Sequence, residues 1–398
     1  MTKSTHNTEN AETVESLMDQ AEALPYGAAQ KLELLERAVD LADSLGDVQA
    51  GFEARQELTG AATMGGHPEK TLVAFAWQLA AWDKYGPSSG REELEADEYD
   101  LLWHYKWVIN SLWEFPNISR TQIEAAFADF ESRLERGGYS LRTVLYFRWK
   151  YAFFTGQLEQ TEAWRTQWLR ARKDDMSDCS ACEAQFLTDY WVGMGQYLEA
   201  LKAAKPILSG FERCAEVPHT TLGSVLEPLL RTGQLEEAMD AHVRGYALVQ
   251  SNPSFLSTCG DHLSFLALTH NLEAAFKLLE KHLPWALESA HLMGRFGFFR
   301  STLPLFARLR VAGQTLFPFR APQGFPLEGG PEGHTLDALE GWFKTQLEDL
   351  ATQFDARNGN AYFSSQLTLD PDLLERIPAV SIKSNKFSAK LNNWKGKA

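Results

Sequence analysis

Apolar residues recur at intervals of three and four along most of the chain, which is the spacing that one buried face of an α-helix produces. Val14, Leu17 and Ala21 show this spacing near the start. Clusters rich in glycine and proline interrupt the pattern, as at Pro25-Tyr26-Gly27 and Gly65-Gly66-His67-Pro68. We therefore expect an all-α protein made of short helices that are joined by turns.

A short sequence motif recurs four times between positions 156 and 275. Each copy has a turn residue, polar positions around an apolar one, and a small residue five places after the turn. The copies begin Gly156-Gln157-Leu158-Glu159, Gly195-Gln196-Tyr197-Leu198, Gly233-Gln234-Leu235-Glu236 and His270-Asn271-Leu272-Glu273. They are spaced by 39, 38 and 37 residues. A fixed period of this size predicts stacked two-helix units, each too small to bury its own apolar face.

The repeats and their interruptions divide the chain into five segments. Residues 1–10 are polar and lack apolar periodicity, so we expect them to be disordered. Residues 11–312 form the helical-repeat array, 313–334 a loop rich in proline and glycine, 335–380 a C-terminal helical cap, and 381–398 a tail with five lysines and no acidic residue. Three phenylalanines in the loop could plug a groove or latch the loop onto the last helices.

Composition narrows the class of protein. The net charge of −15 and the pI near 5.2 disfavour binding to nucleic acid, because a phosphate backbone would be repelled. No stretch of 18 residues is apolar throughout, so no membrane span is expected. Four cysteines in 398 residues make no disulfide framework, and the polar N-terminus lacks a signal region. We therefore expect a cytoplasmic protein.

The repeats resemble those of the tetratricopeptide-repeat (TPR) family. In the copy around Gly195, residues of the right size fall at the family's packing positions on both helices: Ala184, Leu187, Thr188 and Trp191, then Ala200, Ala204 and Ile207. The resemblance implies a right-handed α-solenoid that acts as a protein-interaction scaffold or adaptor. The period exceeds the family's 34 residues, so a related α-helical repeat remains an alternative.

Family geometry implies that the first helix of each repeat lines a concave groove, which would bind a peptide or helix of a protein partner. The expected groove residues are Tyr146, Lys150, Phe153, Gln185, Asp189, Gly223, Glu227, Arg231, Gly260 and Ser264. The two glycines occupy the same position in consecutive repeats. They either open a floor that a peptide backbone could approach or are simply tolerated on a surface.

Cysteines supply the sharpest chemical signal. Cys179 and Cys182 are spaced C-x-x-C at the start of a first helix, where free backbone N–H groups favour a thiolate. Cys214 and His219 fall just after the following second helix, so all four side chains could converge as a Cys₃His site for structural zinc. A redox dithiol and ordinary packed or exposed thiols are the alternatives. Cys259 falls on a packing position and is expected in the core.

Motifs of enzymes are absent from the sequence: there is no phosphate loop, dinucleotide fingerprint, H-E-x-x-H or G-x-S-x-G. We therefore expect a non-enzymatic scaffold without a catalytic cofactor. The second hypothesis is a regulator that responds to metal or redox state through Cys179 and Cys182. The third is a helical-repeat enzyme whose site carries no recognisable motif.

Overall fold

The computed structural model describes residues 12–90, 93–317, 319–330 and 333–380. The predicted disordered segment 1–10 and the basic tail 381–398 lie outside the described residues. The described chain is all-α, as the sequence predicts. Its one two-stranded ribbon pairs β1 (Leu316–Phe317) with β2 (His334–Thr335) in antiparallel register. None of the helices described combines the length and apolar character that a bilayer crossing requires.

The chain divides into two compact units, the first ending at Leu112 and the second beginning at Trp113. The helices of the first unit are α1 (Val14–Glu22), α2 (Ala29–Leu45), α3 (Val48–Gly65), α4 (Pro68–Tyr85) and α5 (Glu98–Leu112), with a 3₁₀ turn at Pro87–Ser89. Helices α1 to α4 each pack on the next one in sequence.

Local sequence sets the helix boundaries in the first unit. The Asp47 carboxylate accepts the backbone N–H of Ala50 at 3.0 Å and so caps α3. Gly46 has a left-handed backbone with φ of 67°, which ends α2 at low steric cost. Pro68 begins α4, where the missing N–H would have no helical partner. These are the breaks that the glycine and proline pattern predicts.

The second unit contains the repeats. Its helices are α6 (Arg120–Arg136), α7 (Arg142–Phe154), α8 (Leu158–Arg170), α9 (Ser180–Gly193), α10 (Tyr197–Leu208), α11 (His219–Ser224), α12 (Leu226–Arg231), α13 (Leu235–Val249), α14 (Leu256–Leu268), α15 (Leu272–Glu288), α16 (Leu292–Arg300), α17 (Leu303–Val311), α18 (Leu336–Asn358), α19 (Tyr362–Ser365) and α20 (Pro371–Arg376), with a 3₁₀ turn at Pro253–Phe255.

Four helix pairs correspond to the four sequence copies: α7 with α8, α9 with α10, α11 and α12 with α13, and α14 with α15. The first helices of successive repeats also contact one another. Helix α11 packs on α9 and on α14, and α14 packs on α16. The first helix of the third pair is split at Val225, three residues before Pro228, whose ring removes a helical N–H donor. This arrangement is compatible with the predicted solenoid, whose handedness remains a prediction.

The sequence motif that recurs four times forms the same kind of turn in each repeat. Its first residue has a left-handed backbone in every copy, including His270, a non-glycine residue with φ of 63°. In three copies the amide side chain of the next residue donates to a threonine hydroxyl at 2.8 to 2.9 Å: Gln157 to Thr155, Gln234 to Thr232, and Asn271 to Thr269. The second copy has Met194 at the threonine position. The periodicity of the sequence is therefore a periodicity of structure.

The loop after α17 folds back on the last helices. Phe319 is buried, and its ring centroid lies 5.6 Å from that of Phe276 on α15. Phe325 lies 4.8 Å from Trp342 on α18. The loop therefore forms an apolar latch on α15 and α18, which was one of the two alternatives for these phenylalanines.

Candidate metal centre

The first two cysteines lie in the first turn of α9. Cys179 is the N-cap residue, and its Sγ accepts the backbone N–H of Cys182 at 3.4 Å. The first N–H groups of a helix have no carbonyl partner within it, so they favour a negatively charged sulfur. The C-x-x-C spacing places both sulfurs at this positive helix end.

The third cysteine reaches the same place from the connection between α10 and α11. Cys214 and Val217 exchange backbone hydrogen bonds of 3.0 and 3.3 Å, which closes a tight turn. Val217 is buried in a small apolar cluster with Ala181 and Ile207, so the turn is anchored against α9 and α10. This packing holds Cys214 beside the start of α9.

The three sulfur atoms of Cys179, Cys182 and Cys214 all lie within 4.8 Å of one another. They are free thiols, two of them on exposed residues. In a tetrahedral site with Zn–S bonds of about 2.3 Å, the sulfur atoms stand roughly 3.8 Å apart. The three cysteines could therefore form a metal-binding site after a small contraction, as the sequence predicts.

Hydrogen bonds and burial separate the three thiols chemically. Burial raises the pKa of Cys179, so the thiolate that the sequence predicts at the C-x-x-C pair lies instead on Cys214. A hydrogen bond from the Cys182 thiol lowers the pKa of Cys214 to about 5, with support from Cys179 and the backbone of Ala215. The same hydrogen bond raises the pKa of Cys182, which stays protonated as the donor. Cys214 is therefore a thiolate at neutral pH, and the thiolate is the form of cysteine that binds metal.

His219 does not join the three sulfurs. Among the described residues, the group of ligand atoms within 4.8 Å of one another contains the cysteines alone. The His219 ring instead stacks on Phe255, with ring centroids 5.3 Å apart and planes within 5°. Burial lowers the pKa of His219, and its Nδ1 atom is buried without a hydrogen-bond partner in the described structure. The Cys₃His set is thus brought together only in its cysteine part.

Charged and polar contacts fix the start of α9, and the sequence alone did not reveal them. Arg142 of α7 donates to both carboxylate oxygens of Glu183 at 3.0 and 3.1 Å, in a half-buried pair with side chains 12% and 13% exposed. The Tyr146 hydroxyl donates to the carbonyl of Cys182 at 3.0 Å. The cysteine turn is thereby held by the preceding repeat.

Both aromatic residues of the expected groove belong to the core. Tyr146 and Phe153 are buried, and their rings pack on Phe186 at 5.6 and 5.8 Å. The expectation that they face a groove was wrong, because neighbouring helices cover these side chains. Lys150 stays half-buried, with Nζ 5.5 Å from the centre of the Tyr146 ring.

The polar groove residues of the second repeat form a network with the third. Gln185 donates to the Asp189 carboxylate at 2.9 Å, and the Ser224 hydroxyl donates to the same oxygen at 2.7 Å. Thr221 donates to the side-chain carbonyl of Gln185. Burial raises the pKa of Asp189, while the bonds from Ser224 and Gln185 and the charge of Lys150 lower it. These side chains join α9 to α11, so much of their capacity is used within the protein.

The two groove glycines do not open a floor. A Cβ atom on Gly223 would stand 2.6 Å from Thr258 Cγ2, and one on Gly260 would stand 2.8 Å from Ser301 Oγ. Both residues are buried. Their missing side chains allow the next first helix to approach closely, so both the peptide floor and the tolerated surface glycine were wrong readings.

The last groove residues have different environments. Arg231 donates to Glu227 at 3.2 Å and forms an ion pair of 2.6 Å with Asp370 of the C-terminal segment. Ser264 is half-buried on α14. Part of the expected partner surface is therefore covered by the protein's own chain.

Comparisons with known proteins leave the family open. No model of a known protein family matches this chain, and a search of curated proteins finds no match. The TPR relationship therefore remains a resemblance carried by the repeated residues. What the structure adds is an all-α chain with a cluster of three cysteines that could bind a metal.

Proposed function

We propose that this protein is a zinc-binding helical-repeat protein in which Cys179, Cys182 and Cys214 hold one structural zinc ion. The observation that carries the proposal is the approach of all three sulfurs to within 4.8 Å of one another. Thiolate ligands favour zinc among the common divalent metals that prefer tetrahedral sites. A reducing cytoplasm would suit this role, because it keeps the thiols available to the metal.

The metal would connect two repeats. Two ligands belong to the start of α9, and the third belongs to the connection that leads into α11. Zinc would therefore fix how the third repeat follows the second. Zinc bound to the folded chain alone would stabilise it by about 4 kcal/mol at a free concentration one thousand times the Kd.

Metal content is the direct test. The protein, purified without a metal-affinity tag, should contain about one zinc per chain by mass spectrometry. Cys182→Ser should lose the zinc, whereas Cys259→Ala, which changes a cysteine buried on α14, should keep it. A chain without metal, whose thermal midpoint is unchanged by added zinc, would show that the three thiols are not a zinc site.

The larger role that we propose is that of an interaction scaffold for a protein or peptide. The repeated helix pairs and their common turn geometry favour it, since stacked repeats create extended binding surfaces. Residues on the first helices that stay partly exposed, such as Lys150 and Val192, would contact the partner.

Site-specific photo-crosslinking tests this role. A photoreactive side chain at Val192 on the first helix α9 should form protein adducts in cell extract. The same group at Leu169, exposed on the second helix α8, is the matched control and should form few. Equal labelling at both positions would contradict a partner surface on the first helices.

A further inference from the structure

The C-terminal segment runs along the ends of the first helices. The Asn360 side-chain amide donates to the carbonyl of Thr155 at 2.8 Å, and the backbone N–H of Val380 donates to the carbonyl of Thr269 at 3.1 Å. Thr155 and Thr269 hold the same place in the first and fourth repeats. Carbonyls at a helix end lack donors within the helix, so they can accept hydrogen bonds from another segment. We call the row of first-helix ends from Thr155 through Arg231 to Thr269 the edge.

Between these two points the edge binds a carboxylate. Arg231, the last residue of α12, contacts Asp370 at 2.6 Å. The hydrogen bond from Arg231 lowers the pKa of Asp370, so the side chain is ionised at neutral pH. Asp370 is exposed, whereas the Arg231 side chain is only 19% exposed, so solvent reaches the pair from the carboxylate side. Surface ion pairs contribute only about 0–1 kcal/mol, so this contact is easily exchanged for an equivalent one.

At its far end the edge holds an extended backbone. Asn271 donates its side-chain amide to the Val380 carbonyl at 2.8 Å, while Thr269 accepts the Val380 N–H. Both main-chain groups of Val380 are thus paired, independently of its side chain. Leu373 and Ile377 are buried in the same apolar cluster as Leu229 and Leu266 of the first helices. The edge therefore binds a carboxylate, two apolar side chains and an extended stretch of main chain.

We propose that this edge is a second peptide-binding surface, which residues 366–380 occupy in the free protein. The kind of partner that fits is an acidic segment of another protein with a short helical turn and an extended end, as in α20 and the residues after it. It would place a carboxylate against Arg231 and apolar residues in place of Leu373 and Ile377. This inference rests on the proposed scaffold function and not on zinc. The protein's own segment shields the edge until a partner with the same chemistry displaces it.

A peptide supplied in trans tests the proposal on the full-length chain. The probe is a fluorescent peptide with the sequence of residues 366–380, and its binding is followed by anisotropy. Asp370→Lys places a cation against Arg231 and should release the resident segment, so the peptide should bind this variant about tenfold more tightly than the unmodified chain. Adding Arg231→Ala to that variant should abolish the gain.

Asp372→Lys is the matched control. It makes the same charge change two residues away, where Asp372 pairs only with Arg376 of its own short helix among the ion pairs described. This variant should bind the peptide no better than the unmodified chain. Hydrogen exchange should rise across residues 366–380 in Asp370→Lys and remain unchanged in the control.

Two results would overturn the proposal. Faster exchange without peptide binding would make the segment a structural cap that no partner replaces. Unchanged exchange in Asp370→Lys would show that the contact with Arg231 does not hold the segment. Failure of the scaffold role itself would appear separately, as equal photo-crosslinking at Val192 and Leu169.

Discussion

Three buried histidines, shared by the third and fourth repeats, should make this part of the chain sensitive to acid. His242 and His262 face each other with their Nδ1 atoms 3.1 Å apart, and His282 Nε2 lies 3.0 Å from the hydroxyl of Tyr246. The three residues come from α13, α14 and α15 and are buried together. Burial lowers the pKa of His242 to about 3 and that of His282 to about 4, and it takes the pKa of His262 well below its usual value.

The direction of the pH effect follows from these depressed values. In an unfolded chain the histidines titrate near pH 6.5. The stability that the neutral, buried histidines contribute to the folded chain is therefore fully present above that pH. It falls as the pH drops from about 6.5 towards 4, because the unfolded state binds protons that the folded state excludes. Between pH 7 and pH 5 this costs roughly 2 kcal/mol for His242 and a similar amount for His282, because the folded pKa values of both lie below pH 5. Lys281 beside His282 adds to the effect by opposing a second positive charge.

His282→Gln isolates one of these contributions. Glutamine keeps a polar partner for Tyr246 but does not titrate. The loss of unfolding free energy between pH 7 and pH 5, measured by urea denaturation, should be about 2 kcal/mol smaller in this variant than in the unmodified chain. His67→Gln, at a half-buried residue of the first unit, is the control for loss of any histidine. An identical pH dependence in all three proteins would refute the reasoning.

Three further variants test the packing. Gly223→Ala should lower the free energy of unfolding by about 1–3 kcal/mol, because the added carbon would meet a close neighbour on α14. Gly341→Ala should raise the free energy of unfolding by about 0.5–1 kcal/mol, since nothing lies within 4 Å of its added carbon. Urea denaturation would measure both changes. Arg142→Ala should cost about 1–3 kcal/mol by the same assay, because the half-buried Glu183 loses two hydrogen bonds, and unchanged stability would contradict the importance of that pair. Cys259, fully buried with its pKa raised by burial to about 12, should react with a thiol reagent only after unfolding; rapid reaction in the native protein would contradict its burial.

Much of the local structure could be predicted because it depends on neighbouring residues. Apolar spacing indicated the helices. The clusters Pro25-Tyr26-Gly27 and Gly65-Gly66-His67-Pro68 fall at the breaks between α1 and α2 and between α3 and α4. The 37- to 39-residue spacing located the repeat turns. The C-x-x-C pair was also predictable as a unit, since both cysteines belong to one helix start.

Contacts between distant segments could not be read in the same way. The TPR resemblance implied that Gly223 and Gly260 line an open groove, but residues one repeat further on occupy the space beside each glycine. The sequence pattern suggested four convergent ligands, yet the ring of His219 turns to Phe255. The bond from Asn360 to Thr155 spans more than half of the chain, and neither residue carries a local signal of it.

The sequence by itself determined that the chain is helical, where turns separate its helices, and that Cys179 and Cys182 belong to one helix start. These properties follow from backbone preferences and from the periodicity of one buried face. The tertiary structure decided that Cys214 lies with Cys179 and Cys182, that the first-helix aromatics are core, and that Asp370 covers Arg231. Such contacts depend on how whole helices pack, because side chains far apart in sequence compete for the same space.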